Sequence, residues 1–333
     1  MTLTVLVPGA SGYIGGRLVP RLLAEGHVVR AMTRNAGRLR DVPWANQVQV
    51  VEADAIGGTG LEAALAGVDV AYYLVHSLGT EPQFAQTDRL AAKAFGAACL
   101  AAGVGRIVYL GGLTSPHEVL SPHLASRAEV GQLLLDSGVP TAALQAAVII
   151  GSGSASFEML RYLTERLPAM ITPKWVNSRI QPIAVRDVLR YLVGAATLPA
   201  DVSRRFDIGG PEVLTYLEMM QRYARVAGLR KRLIIPVPLL TPRLSGHWVN
   251  VVTPVPAALA KPLVRSLVNE VICSEDDIKA LIPDPPEGLL GFEDAVSLAL
   301  LRIKEAAVET RWSSASWPGA PSDPLPTDPD LAG

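Results

Sequence analysis

A glycine-rich turn near the N-terminus is the strongest chemical signal in the sequence. It follows a short apolar run, opens a segment of helical period and ends at Gly15; its residues are Gly9, Ala10, Ser11, Gly12, Tyr13 and Ile14. In such a turn the glycines allow a tight reversal, close approach of the backbone to a diphosphate, and close packing of helix on strand. The N–H groups and partial positive charge of the helix N-terminus favour phosphate. The pattern therefore predicts a dinucleotide-binding site.

The residue after the second predicted strand distinguishes between two dinucleotides. Enzymes that use NAD place Asp or Glu about 20 residues after the glycines, where it binds the ribose hydroxyls. Here that position holds Arg34, and the next acidic residue is Asp41. A guanidinium suits a 2′-phosphate, with Arg38 as a helper. The sequence favours NADP(H) over NAD(H); the alternative is that Arg34 is a solvated surface residue.

Two further strand ends are expected to line the same crevice. Asp54 and Ala55 follow the third predicted strand. A carboxylate there can accept a hydrogen bond from the adenine amino group, although Asp54 equally suits the cap of the next turn. Val75 and His76 end the fourth strand, near the expected nicotinamide ribose. A single His at the end of a strand is equally often a structural residue with its hydrogen bonds made inside the protein, so His76 either contacts the cofactor or has only this structural role.

Composition excludes several classes of protein. The 333 residues include 30 basic and 31 acidic side chains, so the formal net charge of −1 gives no field that would attract nucleic acid. Hydrophobic residues make up 49% and charged ones 18%, which excludes a disordered chain. Cys99 and Cys273 stand alone, with no spacing that would hold a metal. No membrane span or secretory signal is predicted, so we expect a cytoplasmic protein.

The apolar periodicity predicts a fold of class α/β. Strands are predicted at 3–7, 28–33, 48–52, 70–75, 106–110 and 141–149, with helices at 12–24, 60–65, 84–102 and 124–136. Strand–helix alternation with continuous apolar strands is typical of a doubly wound, Rossmann-type parallel sheet. Longer helices follow at 156–167, 185–196, 214–227, 257–269 and 291–306, separated by Pro-rich joints.

The change from alternating strands and helices to longer helices with Pro-rich joints predicts three regions along the chain. Residues 1–150 form an NAD(P)-binding Rossmann domain. Residues 151–309 form a smaller, mainly helical C-terminal substrate region on the carboxyl edge of the sheet. Residues 310–333, which contain five prolines, form a tail. Phe157, Met159, Leu160, Met170 and Trp175 are candidates for an apolar substrate wall, although such residues are more often plain core.

Several segments together resemble the atypical, epimerase-like and NmrA-like branch of the short-chain dehydrogenase/reductases. They are the glycine turn, YYLVHS at 72–77, IVYLGGL at 107–113, QPIAVRDV at 181–188 and FDIGGP at 206–211. The similarity covers about residues 1–305. Within this branch, the sequence is similar more specifically to bacterial NAD(P)-binding proteins in which a small second domain follows the NAD(P)-binding module. This resemblance implies that residues 310–333 are a connecting tail.

The sequence departs from the superfamily at the catalytic pair. Typical members carry Tyr-x-x-x-Lys after the fifth strand, with Tyr as the acid or base and Lys binding the ribose. Here His123 stands at the Tyr position and Arg127 at the Lys position. His123 is expected to donate a proton near neutral pH, and Ser115 to replace the substrate-binding Ser. The alternative is that both lie on a surface loop, since Ser121 and Pro122 precede His123.

These features predict an NADP(H)-binding oxidoreductase that reduces a small apolar carbonyl or quinone-like compound. The alternative is a non-catalytic NADP(H)-binding redox sensor or scaffold. A sugar epimerase is disfavoured, because its chemistry demands a strong base at the Tyr position. The expected partner is a small-molecule substrate, with no nucleic acid and no metal.

Two apolar segments, residues 233–240 and 248–260, could contact a bilayer surface or pack in the protein core, and core packing is preferred. No oligomeric state is predicted.

Overall fold

The computed structural model describes residues 1–75, 83–114, 120–237 and 267–311. The strands are β1 (Thr4–Pro8), β2 (Val28–Thr33), β3 (Gln49–Glu52), β4 (Val70–Tyr73), β5 (Arg106–Gly112), β6 (Thr141–Ala146), β7 (Ile149–Ile150), β8 (Ala169–Pro173), β9 (Arg179–Ile180), β10 (Ile183–Ala184), β11 (Arg204–Ile208), β12 (Leu214–Thr215) and β13 (Leu233–Val237). The helices are α1 (Tyr13–Ala24), α2 (Leu61–Leu65), α3 (Gln83–Ala101), α4 (Pro122–Leu135), α5 (Ala155–Arg166), α6 (Val185–Ala195), α7 (Tyr216–Val226), α8 (Ile278–Leu281) and α9 (Phe292–Lys304).

Seven strands form one parallel sheet in the order β11-β6-β5-β4-β1-β2-β3. The strand order reverses between β1 and β4, which pair through Val5 and Val70. In open sheets of this kind, ligands bind outside the carboxyl ends of the strands at the point of reversal. The predicted doubly wound α/β fold is therefore confirmed, and the point where its strand order reverses lies at β1 and β4.

Two features of the sheet differ from the sequence prediction. The long strand predicted at 141–149 is two strands, with a break at residues 147–148. In addition, β11 adds an edge strand from the region assigned to the substrate. Its first two residues, Arg204 and Arg205, are exposed, and such charges on an edge strand prevent it from pairing with other chains. Because these residues are charged, the strand was not recognised from its apolar pattern. The main sheet thus draws on residues on both sides of position 150.

Alternation along each strand sends side chains to two separate cores. Tyr72 joins the cluster beneath α1 and α6, and its hydroxyl donates to the carbonyl of Leu192 at 3.1 Å. Tyr73 points to the opposite face, where its ring meets Phe95 of α3 edge-on with 5.0 Å between ring centroids. This period of two is what a sheet covered on both faces requires.

A third apolar cluster fills the region after position 150. It joins α5, α7 and α9, and it extends back to Leu113, Leu124 and Ile150 at the carboxyl edge of the sheet. The smaller region therefore packs directly on that edge. The helix predicted at 257–269 lies almost wholly outside the described residues, as do 238–240 and 248–260 of the predicted membrane-contact segments. Residues 233–237 form β13, which pairs with β8.

None of the helices within the described ranges is both long and apolar enough to cross a bilayer.

Phe95 anchors α3 on the sheet, and its side chain is fully buried. We expect Phe95→Ala to lower the free energy of unfolding by about 3–5 kcal/mol, because it removes buried apolar area and leaves a cavity. The matched control is Leu90→Ala in the same helix, where the side chain is 59% exposed and the change should stay within about 0.5 kcal/mol. Denaturant unfolding measures both; equal effects would contradict this account of the core.

Candidate functional site

The glycine turn connects β1 to α1 at the reversal point of the sheet. Gly9 adopts a left-handed φ of 72°, and the N–H of Gly12 donates to its carbonyl at 2.8 Å. Gly12 is the N-cap of α1 and has no side chain with which to cap the helix, and the first turn of α1 carries no acidic residue. The amides of this turn are thus oriented toward the crevice as donors, and the helix dipole adds positive potential.

The space around the glycines supports this assignment. A Cβ on Gly15 would lie 2.2 Å from the carbonyl oxygen of Gly9, and a Cβ on Gly12 would lie 3.1 Å from the same oxygen. A side chain at Gly15 is therefore excluded by backbone, not by a movable group. Ala10 is fully buried, and Ser11, Tyr13 and Ile14 complete the turn and open the helix. These residues fit a dinucleotide diphosphate.

The carboxyl end of β4 lies against the same turn. A Cβ on Gly9 would lie 3.3 Å from Cγ1 of Val75 and 3.7 Å from the carbonyl oxygen of Leu74. Val75 is therefore placed beside the glycine turn, as its position after the fourth strand suggested. His76 and Ser115 lie outside the described residues, so their predicted roles stay predictions.

The ends of β2 and β3 carry charged groups side by side. Arg34 is exposed directly after β2, and Thr33 lies opposite Glu52 in the parallel register. The Glu52 carboxylate accepts a hydrogen bond from the N–H of Ala36 at 2.7 Å. This edge therefore carries a guanidinium and, next to it, a carboxylate that is held by the backbone.

Asp54 caps the turn that follows β3. Its Oδ1 accepts a hydrogen bond from the N–H of Ile56 at 2.9 Å, and its own N–H donates to the carbonyl of Thr59. This is the local role that the sequence left open as an alternative for Asp54. Ala55 is buried against the core beside it. The adenine contact predicted for Asp54 stays a prediction.

Helix α4 holds Arg127 at the end of β5. The Nη2 of Arg127 donates to the carbonyl of Leu110 at 3.1 Å, and the carbonyl of Arg127 accepts from the hydroxyl of Tyr109 at 3.0 Å. Its guanidinium carbon also lies 5.9 Å from the centre of the Tyr109 ring. The cation is thus fixed at the carboxyl edge of the sheet, and its predicted role in cofactor binding stays a prediction.

His123 lies in the first turn of α4, on the face that also carries Arg127 one turn later. Its side chain is partly buried, and the residue belongs to a helix and not to the surface loop that was the alternative. Burial, and then the charge of Arg127, lower the pKa of His123 from 6.5 to about 4. At neutral pH the ring is therefore the neutral imidazole. The expected proton donation near neutral pH does not fit this state, since the group carries an N–H for hydrogen bonding but no readily released proton.

Arg17 is a site residue that sequence reasoning missed. It is 4% exposed, lies 4.8 Å from the centre of the Tyr13 ring, and donates to the carbonyl of Ser152 at 2.8 Å. It therefore ties the first turns of α1 to residues 151–154, the turn that precedes α5. The signal in the sequence is a charged residue on the helix face where its neighbours are apolar.

The turn at 151–154 is rigidly held. The Ser154 hydroxyl accepts from the N–H of Phe157 at 3.1 Å, and the N–H of Gly153 donates to Glu158 at 3.0 Å. Glu158 also pairs with the buried Arg161 at 2.6 Å. The apolar-wall candidates beyond this turn are all buried in one cluster: Phe157, Met159, Leu160, Met170 and Trp175. No cluster of metal-ligating side chains occurs within the described ranges.

Residues 9–153 match the family model described as NAD(P)H-binding. An uncharacterized protein of Mycobacterium tuberculosis is 26% identical over 236 residues, which are 70% of this chain and 24% of that protein. The chain thus spans about a quarter of the length of this curated relative. A Streptomyces griseus protein named (4-alkanoyl-5-oxo-2,5-dihydrofuran-3-yl)methyl phosphate reductase is 28% identical over 225 residues, 67% of this chain and 74% of that protein.

The fold is shared with the Citrobacter triphenylmethane reductase complexed with NADP(H). That structure superimposes with a TM-score of 0.69 at 20% identity and covers 89% of this chain and 99% of its own. Together with the family model, this likeness confirms the predicted resemblance to the atypical short-chain dehydrogenase/reductases. Residues 9–153 thus match an NAD(P)H-binding domain, and the likeness to the reductase is one of fold.

The lowered pKa of His123 leads to a testable pH dependence. The unfolded chain binds one more proton than the folded chain between about pH 4 and pH 6.5, because the folded-state pKa is the lower one. The contribution of His123 to the free energy of unfolding should therefore fall as the pH decreases through this window, and it should be constant above it. His123→Gln should abolish this component. An NMR titration of the imidazole with a pKa near 6.5 would contradict the account.

Proposed function

We propose that this chain, which carries an NAD(P)H-binding domain of the atypical short-chain dehydrogenase/reductase type, is an NADPH-dependent reductase of a small apolar carbonyl or quinone-like compound. The observation that supports the proposal is the close approach of α1 to the end of β1, where Gly12 is the N-cap of the helix and a Cβ on Gly15 would lie 2.2 Å from the carbonyl oxygen of Gly9. On the other side of the reversal point, α4 places Arg127 at the end of β5. A donor set for a diphosphate and a cation for the far half of a dinucleotide therefore share one edge of the sheet.

Each group has a definite task in this reaction. A bound NADPH supplies the hydride. The first amides of α1 bind the diphosphate. Arg127 binds the ribose next to the nicotinamide or the carboxamide oxygen of the nicotinamide itself. His123, as the neutral imidazole, donates an N–H hydrogen bond to the substrate oxygen on which negative charge develops. The low pKa of His123 suits this task, since a neutral donor persists across the physiological range.

The surroundings of His123 favour an apolar substrate. Leu124, its neighbour, and Leu113, which follows β5, belong to the same buried cluster as Phe157 and Trp175 of the smaller region. Hydride addition to a quinone leaves a stabilised phenolate-type oxygen, which needs a hydrogen bond more than it needs a strong acid. A site with a neutral imidazole and no Tyr–Lys pair is thus better matched to quinones than to sugars.

A quinone and aldehyde screen tests the reductase proposal. We expect NADPH oxidation, followed by its absorbance, to depend on the added acceptor. His123→Phe should lower kcat at least tenfold and leave the NADPH dissociation constant unchanged, because it removes only the hydrogen bond to the reacting oxygen. An unchanged kcat in His123→Phe would contradict the role of the imidazole.

The second candidate function is a non-catalytic NADP(H) sensor. It is favoured by the same observation that limits acid catalysis, namely a His123 that holds no acidic proton at neutral pH. A sensor must bind the oxidised and reduced cofactors with different affinities. Tight and selective binding of NADPH, with no oxidation by any acceptor in the screen, would establish the sensor and exclude the reductase.

Arg34 supports NADPH in preference to NADH, since its exposed guanidinium follows β2 at the ribose end of the crevice. We expect Arg34→Ala to weaken NADPH binding about 10- to 100-fold, from the loss of about 1.5–3 kcal/mol of charge-assisted hydrogen bonding. NADH binding should not change. Arg40→Ala is the charge-matched control, because Arg40 is exposed on the same segment. Calorimetric titration measures these constants; equal losses for both cofactors in Arg34→Ala would exclude 2′-phosphate recognition.

A further inference from the structure

Residues 308–310, here named the strap, lie against the cofactor helix from the far end of the sequence. After α9 the chain reverses at Ala306, which has a left-handed φ of 50°, and the N–H of Ala307 donates to the carbonyl of Arg302 at 2.8 Å. This reversal directs the next residues away from α9 and onto α1. The strap thus reaches the Rossmann domain from a segment that the sequence assigned to the substrate region and tail.

Ion pairs fix the strap to one face of α1. Glu309 accepts two hydrogen bonds from Arg21, at 2.6 and 2.9 Å, and lies 3.8 Å from Nη1 of Arg17. The hydrogen bond from Arg21 holds the pKa of Glu309 below its usual range, so the pair is ionised at neutral pH. A bidentate geometry of this kind makes a surface pair more specific than a single contact.

Thr310 connects the two turns that flank the cofactor crevice. Its hydroxyl donates to the carbonyl of Tyr13, the first residue of α1, at 2.8 Å. Its own carbonyl accepts from Arg17 at 3.3 Å, and the same guanidinium donates to Ser152 at 2.8 Å. One arginine therefore holds the strap, the start of α1 and the turn at 151–154 in a single arrangement.

Two glycines provide the space for Thr310. A Cβ on Gly16 would lie 2.7 Å from Cγ2 of Thr310, and a Cβ on Gly153 would lie 2.4 Å from the carbonyl oxygen of Thr310. Gly153 also has a left-handed φ of 79°. The strap therefore occupies a recess that is shaped by residues from both flanking turns, which a loosely packed tail would not require.

We propose that Glu309 and Thr310 are positioning residues of the cofactor site. They hold the first turn of α1, which presents the diphosphate-binding amides, at a fixed distance from the turn at 151–154. Preorganisation of this kind raises affinity by removing the cost of ordering the site on binding. Because such coupling is reciprocal, a bound dinucleotide must in turn stabilise the attached strap. The inference depends on cofactor binding alone and not on any substrate.

Thr310 offers a matched pair of variants. Thr310→Val keeps the shape but removes the hydrogen bond to Tyr13, and we expect the NADPH dissociation constant of the full chain to rise about three- to tenfold. Thr310→Ser keeps the hydroxyl and should bind NADPH as the wild type does. Glu309→Gln should weaken binding, whereas Glu305→Gln, at an exposed position outside the strap, should not. Wild-type affinity in Thr310→Val and Glu309→Gln would overturn the proposal.

A rescue experiment separates the strap from a general packing defect. Gly16→Ala places a methyl group against Cγ2 of Thr310 and should weaken NADPH binding, while Thr310→Ser removes Cγ2. The double variant Gly16→Ala with Thr310→Ser should therefore bind NADPH more tightly than Gly16→Ala alone, although the added methyl group also lies 3.2 Å from the carbonyl oxygen of Ala10, a contact that Thr310→Ser leaves in place. A double variant that binds NADPH no better than Gly16→Ala would overturn the proposal.

Hydrogen exchange tests the reciprocal effect on the wild-type chain. NADPH should slow amide exchange in residues 306–311. Unchanged exchange there, with NADPH bound, would count against the coupling. If the wild-type chain binds no NADPH, the proposed function itself is wrong. If the wild-type chain binds NADPH and the strap variants bind it equally well, only the role of the strap is wrong.

Discussion

The contact between Gly15 and the carbonyl of Gly9 is the constraint on which the site depends. Helix α1 approaches the end of β1 so closely that a single methyl group at Gly15 would overlap the Gly9 backbone, at 2.2 Å. This approach directs the N-terminus of α1 at the point where the strand order reverses. Val75 at the end of β4 and the turn at 151–154 are arranged around that same helix end. The binding chemistry thus follows from backbone packing before any polar side chain contributes.

A second constraint is electrostatic and determines the kind of chemistry that remains. Arg127, fixed by the carbonyl of Leu110, lies one turn from His123 and disfavours its protonation, and burial acts in the same direction. In the proposed function, a cation and a neutral hydrogen-bond donor take the place of the acid–base pair of the superfamily that the sequence resembles. Such a pair orients and polarises a substrate oxygen, but it supplies no strong base. This is the physical reason to prefer carbonyl or quinone reduction over epimerisation.

The features that are local in sequence could be predicted, and those that depend on distant segments could not. The glycine turn was predicted because strand, turn and helix are contiguous, and β2 was predicted with its observed bounds at Val28–Thr33. The edge strand β11 was not predicted, because three of its five residues are charged and it forms a strand only by pairing with β6. The low pKa of His123 and the strap on α1 were equally out of reach, since burial and contacts across 288 or more positions determine them.

The central claim is that the amides at the start of α1 bind the diphosphate of a nicotinamide dinucleotide. Calorimetric titration of the wild-type chain and of Gly15→Ala with NADPH tests it most directly. The account predicts one equivalent of NADPH bound by the wild type, and loss of that binding in a Gly15→Ala variant whose far-ultraviolet circular dichroism is unchanged. No heat of binding from the wild type with either NADPH or NADH would contradict the account.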